Sequence, residues 1–68
     1  MAMNERLSFT LQRAINLGIT ESFIATLIDV DQSTISRWTR GVGKPHNITA
    51  NAVIEQVEKL IKVRNGHK

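Results

Sequence analysis

Residues 19–41 read ITESFIATLIDVDQSTISRWTRG, and the way this stretch divides decides the fold. Thr20 stands where a helix wants an N-cap, and Ile19 and Ile24 flank it at the spacing of a hydrophobic staple. Ala25, Leu27 and Ile28 carry the apolar pattern through about two turns, which predicts a short helix. The device then repeats: Asp31 takes the cap position, with Val30 and Ile35 at the staple positions. An acid there also suits the positive end of the helix dipole. Only Asp29, Val30 and Asp31 separate the two helices, so the link must be a tight turn that sets them at a steep angle, a helix-turn-helix. Such turns usually need one residue at positive φ, and Asp29 is the candidate because Asp tolerates that region better than most residues.

The flanking segments are helical in pattern as well. Leu7, Leu11, Ala14 and Ile15 form one stripe, Phe9 falls off it, and Gly18 sits where a glycine would end the helix. Gly41, Gly43 and Pro45 punctuate a loop, with Asn47 placed to cap the last helix. That longer helix is expected from Ile48 to about Arg64, with Ala50, Val53, Ile54, Val57, Leu60 and Ile61 on one face. No alternation of strand type persists, so the expected fold is all-α: a compact domain of four helices, or five, around a central helix-turn-helix. Sixty-eight residues make one small domain that buries only about 60% of its unfolded surface, which makes oligomerisation an expectation. The last stripe has more apolar length than two short helices can cover, so Val57, Leu60 and Ile61 are the expected dimer interface. Residues 65–68 are expected to be frayed.

The net charge of +3 is unevenly placed. Residues 1–30 carry Arg6 and Arg13 against Glu5, Glu21 and Asp29; residues 31–47 carry Arg37, Arg40 and Lys44 against Asp31 alone. Residues 48–68 carry Lys59, Lys62, Arg64 and Lys68 against Glu55 and Glu58. The positive excess therefore begins with the second helix of the helix-turn-helix and suggests an acidic partner. There is no Cys, no apolar run approaches the roughly 18 residues of a membrane span, and MAMNERLSF lacks the build of a signal peptide. A soluble protein of the bacterial cytoplasm, without membrane contact, is the expectation. GVGK at 41–44 has Pro45 where a phosphate-binding loop needs Ser or Thr, and His46 and His67 lack a ligand cluster. No nucleophile, base and orienting acid converge, so no enzyme, metal, cofactor or small-molecule ligand is expected.

A helix-turn-helix presents its second helix to the major groove, where short polar and bidentate side chains at the leading turns read base edges. Ile35 and Trp38 lie on one face as anchors, which leaves Gln32, Ser33, Ser36 and Arg37 to point elsewhere. Gln pairs well with adenine and Arg with guanine. Each assignment has a plainer alternative: Gln32 and Ser33 also suit a helix start, Arg37, Arg40 and Lys44 could be ordinary surface, and the basic residues from Lys59 onward could be a solvated face. The spacing of Trp38 from Ile35 favours packing over base stacking.

The stretch from Glu21 to Trp38, ESFIATLIDVDQSTISRW, resembles the helix-turn-helix of the Xre-like family of phage Cro, repressor and activator proteins, and VDQSTISRWTR is especially similar to the cII-like activators within it. The resemblance implies a lambda-repressor-like fold and a homodimer on double-stranded DNA. It places Gln32, Ser33, Ser36 and Arg37 at base-contacting positions, and Thr20, Ser22, Arg40 and Lys44 at phosphate-contacting ones. Two positions depart from the family pattern: Asp29 stands where Gly is commonest in the turn, and Glu21 where several repressors carry Gln. The implied function is a sequence-specific transcriptional regulator, a Cro-like phage or prophage repressor on a palindromic operator. The alternatives are a cII-like activator and an antitoxin-like or accessory protein-interaction module.

Overall fold

A computed structural model describes residues 3–43 and 45–66. It is all-helical among these residues: α1 (Met3–Asn16), α2 (Glu21–Ile28), α3 (Gln32–Thr39) and α4 (Asn47–Gly66). Helices α1 and α4 pack most extensively on each other, α3 packs on both α1 and α2, and α2 touches α4 lightly.

The first three helices end in one way. At the end of α1, Gly18 sits at φ 95°, its N–H donates to the Ile15 carbonyl (2.9 Å), and the Ile19 N–H reaches back to the Ala14 carbonyl (3.0 Å). At the end of α2, Asp29 takes the left-handed position (φ 62°, ψ 51°), and the Val30 N–H donates to the Ala25 carbonyl (2.9 Å). At the end of α3, Gly41 is at φ 80° and the Val42 N–H donates to the Arg37 carbonyl (2.8 Å). This is the Schellman pattern, which satisfies helix-end carbonyls and turns the chain sharply. Ile19 and Val30 both close one helix and stand just before the cap of the next, so each link is only a few residues long. Asp29 is the sole described non-glycine residue at positive φ, as its place in the turn predicts.

The two expected caps differ. Thr20 accepts a hydrogen bond from the Phe23 N–H through Oγ1 (3.0 Å). Asp31 holds the N-cap position and backbone (φ −69°, ψ 146°), but its side chain makes no cap bond, so the expected capping is corrected to position alone. The cap expected at Asn47 is also displaced: Asn47 is the first residue of α4, and the His46 carbonyl accepts from the Ala50 N–H (2.8 Å).

The core is built from Leu7, Leu11 and Ala14 of α1, Ile19, Ile24 and Ala25, Ile35 of α3, and Ala50, Val53, Ile54, Val57 and Ile61 of α4. Trp38 and Leu60 pack against it half-buried, while Phe9 is exposed. The dimer interface expected at Val57, Leu60 and Ile61 is corrected at Val57 and Ile61, while Leu60 stays half-buried at the edge of the core. Val57 is 0% and Ile61 5% exposed within one chain, because α1 covers the stripe that two short helices could not. Helix α4 extends through Gly66, and of the tail expected to be frayed, residues 67 and 68 lie outside the described residues. Near its end Arg64 Nε donates to the Leu17 carbonyl (2.9 Å), bracing α4 against the α1–α2 link. A cation there also suits the negative end of α1.

Candidate nucleic-acid interface

Helix α3 is only eight residues long, and its orientation rests on three sets of contacts. Ile35, fully buried, and the half-buried Trp38 fix its inner face. The tight turn at Asp29 joins it to α2. At its far end Ser8 Oγ (2.8 Å) and Gln12 Nε2 (2.9 Å) both donate to the Thr39 carbonyl, while Thr39 Oγ1 donates back to the Ile35 carbonyl (2.8 Å). Two α1 side chains thus hold a helix-end carbonyl that has no partner within its own helix. Sequence reasoning overlooked Ser8 and Gln12. Their signal was a polar pair four residues apart beside the Leu7–Leu11 stripe, legible only once α3 was known to cross there.

On the outer side, at about 100° per residue, Ser33, Ser36, Arg37 and Arg40 fall on one stripe with the spacing i, i+3, i+4, i+7. Ser33, Arg37 and Arg40 are exposed and Ser36 is half-buried. Gln32 is exposed at the leading edge. Arg37 Nη2 lies 3.4 Å from Thr34 Oγ1, a weak tether that leaves most of the guanidinium fork open to solvent. The four residues expected to face bases therefore share a surface, and Arg40 extends it rather than standing apart.

Thr20 and Ser22 are exposed at the start of α2. Thr20 Oγ1 is the acceptor for Phe23, which leaves its hydroxyl hydrogen as a donor to an outside acceptor. Glu21, between them, is half-buried. Lys44, expected at a phosphate, lies outside the described residues. No family model matches the chain, and no curated protein or solved structure matches it either.

Other chemistry finds no comparable arrangement among the described residues. No three His, Asp or Glu side chains come together there to hold a metal ion, and no helix is long and apolar enough to cross a membrane. The outer face of α3 thus concentrates hydroxyl donors and two guanidinium groups on a small, rigidly held helix. That set can do two things at once: pair with base edges through directed hydrogen bonds, and neutralise phosphates through charge.

Proposed function

We propose that this chain is a sequence-specific double-stranded DNA-binding transcriptional regulator of the Xre-like helix-turn-helix kind, acting as a homodimer on a palindromic operator. The observation that carries the reading is the outer stripe of α3, Ser33, Ser36, Arg37 and Arg40, on a helix whose two ends and inner face are all fixed by the rest of the fold. A major groove about 12 Å wide admits one such helix. Gln32, Ser33, Ser36 and Arg37 contact bases; Thr20, Ser22, Arg40 and Lys44 contact phosphates. Two copies of α3 enter grooves about 34 Å apart on one side of the duplex. Occupancy of an operator regulates most simply by blocking polymerase, as a Cro-like phage or prophage repressor does.

Selection of bound duplexes from a random pool tests this directly. A palindromic consensus is expected, with affinity falling by about 0.9 in log K per log unit of salt for each phosphate neutralised. Absence of duplex binding at low salt, or sequence-blind binding at moderate salt, would overturn the reading. A protein-interaction module is the second reading, favoured by the apolar residues exposed on α4, Ile48 and Val63. It expects no selected sequence.

A further inference from the structure

Opposite the stripe that α1 covers, helix α4 has a second face on which exposed apolar residues alternate with polar and charged ones. At about 100° per residue Ile48, Ala52, Glu55, Gln56, Lys59 and Val63 fall within roughly 100° of arc, and all six are exposed. Phe23 and Leu27, one turn apart on α2, widen this face: Phe23 lines a depression with Leu60 and Val63, and Leu27 lines another with Ile48 and Ala52. Ile48 is 85% exposed, Val63 72%, Phe23 54% and Leu27 43%. With side chains of roughly 150–200 Å² each, these four leave on the order of 400 Å² of apolar surface in water, about half of the ~800 Å² per partner that a standard interface covers. A total of that size is within the range that functional apolar patches cover.

We infer that this face is the contact with a second copy of the chain, made by antiparallel pairing of the two α4 helices across a two-fold axis. The charges on the face fit this occupant. Glu55 and Lys59 lie one turn apart, and reversing one helix against the other brings Glu55 of each copy opposite Lys59 of its partner, giving two reciprocal ion pairs about the axis. A parallel pairing would instead set like charges together.

The arrangement is compatible with DNA binding through α3, and this one step rests on that reading. Helix α3 packs on α1 and α2 and hardly meets α4, so the proposed interface leaves the α3 stripe free.

Sedimentation of the full chain without DNA, across low to high micromolar concentration, tests the interface alone. The wild type is expected to dimerise, and Ile48→Glu to weaken the dimer at least tenfold with an unchanged circular-dichroism spectrum. Glu55→Lys and Lys59→Glu should each be more monomeric than wild type, yet form a heterodimer when mixed, because mixing restores both ion pairs. A wild type that stays monomeric at several hundred micromolar, or single charge reversals that fail to associate on mixing, would overturn the proposal. Duplexes carrying one half-site separate the two readings: one-to-one binding without dimerisation retains DNA reading and removes this interface, whereas a dimer that ignores duplex DNA does the reverse.

Discussion

The outer faces of α3 and α4 are built to the same helical period and differ in what they offer. Outside α3 stand Ser33, Ser36, Arg37 and Arg40; outside α4 stand Ile48, Ala52 and Val63 around Gln56 and one ion pair's worth of charge, Glu55 and Lys59. Hydroxyls and guanidinium groups are well solvated, so the α3 face is exposed to water at little free-energy cost. Exposed isoleucine and valine are unfavourable in water and are relieved only by a dry partner. Amphipathic pattern alone locates both helices, but the chemistry of the uncovered side separates a hydrogen-bonding, cationic face from a partly apolar one.

The largest effect should come from removing the platform beneath the polar face. Ile35 is fully buried at the junction of α1, α2 and α3, so Ile35→Ala should lower unfolding free energy by about 2–5 kcal/mol, measured by urea denaturation. In so small a domain that loss approaches the whole stability. A change below about 1 kcal/mol would mean that α3 is not anchored as described.

Next, the two faces can be compared by charge. Arg37→Ala should reduce affinity for the selected duplex by about 1–3 kcal/mol and relax preference at one base, as read by titration against point-substituted duplexes. Arg40→Ala should weaken all sequences alike and lower the salt slope by about 0.9. Lys62→Ala removes an equally exposed cation from α4 and should change neither. Equal effects from Arg37 and Lys62 would remove the distinction between the faces.

Smaller effects should separate the helix starts within the helix-turn-helix. Thr20→Ala deletes a cap bond seen at 3.0 Å and should destabilise by about 1 kcal/mol in thermal or urea unfolding. Asp31→Ala deletes no cap bond and should cost no more than about 0.5 kcal/mol, the residual dipole effect of an exposed acid. If Asp31→Ala proves as costly as Thr20→Ala, the side chain caps α3 in solution after all.

Where the cause is local, the residues of the helix-turn-helix suffice to show it. The cap at Thr20, the turn at Asp29 and the closing glycine at position 18 all depend on residues within one or two turns of one another, and all are found in place, with Ile19 and Ile24 both buried in the core. Of the site, the sequence showed which residues share the free side of α3, because the period of a helix and the apolar Ile35 suffice to orient it. It did not show Ser8 and Gln12 reaching Thr39, since those residues are 31 and 27 positions away and meet it only through the packing of α1 on α3. It also assigned Val57 and Ile61 to a partner subunit, when α1 already covers them.

By itself, then, the sequence determined what short-range forces determine: an all-α chain of amphipathic helices, four or five in number, where three of them stop, the hinge residue of the turn, and a positive excess that begins at the third helix. The tertiary structure alone decided which apolar stripe is consumed inside the chain and which is left facing water. A helix presents the same periodicity whether its covering surface comes from its own chain or from another, and only the position of α1 distinguishes the two sides of α4.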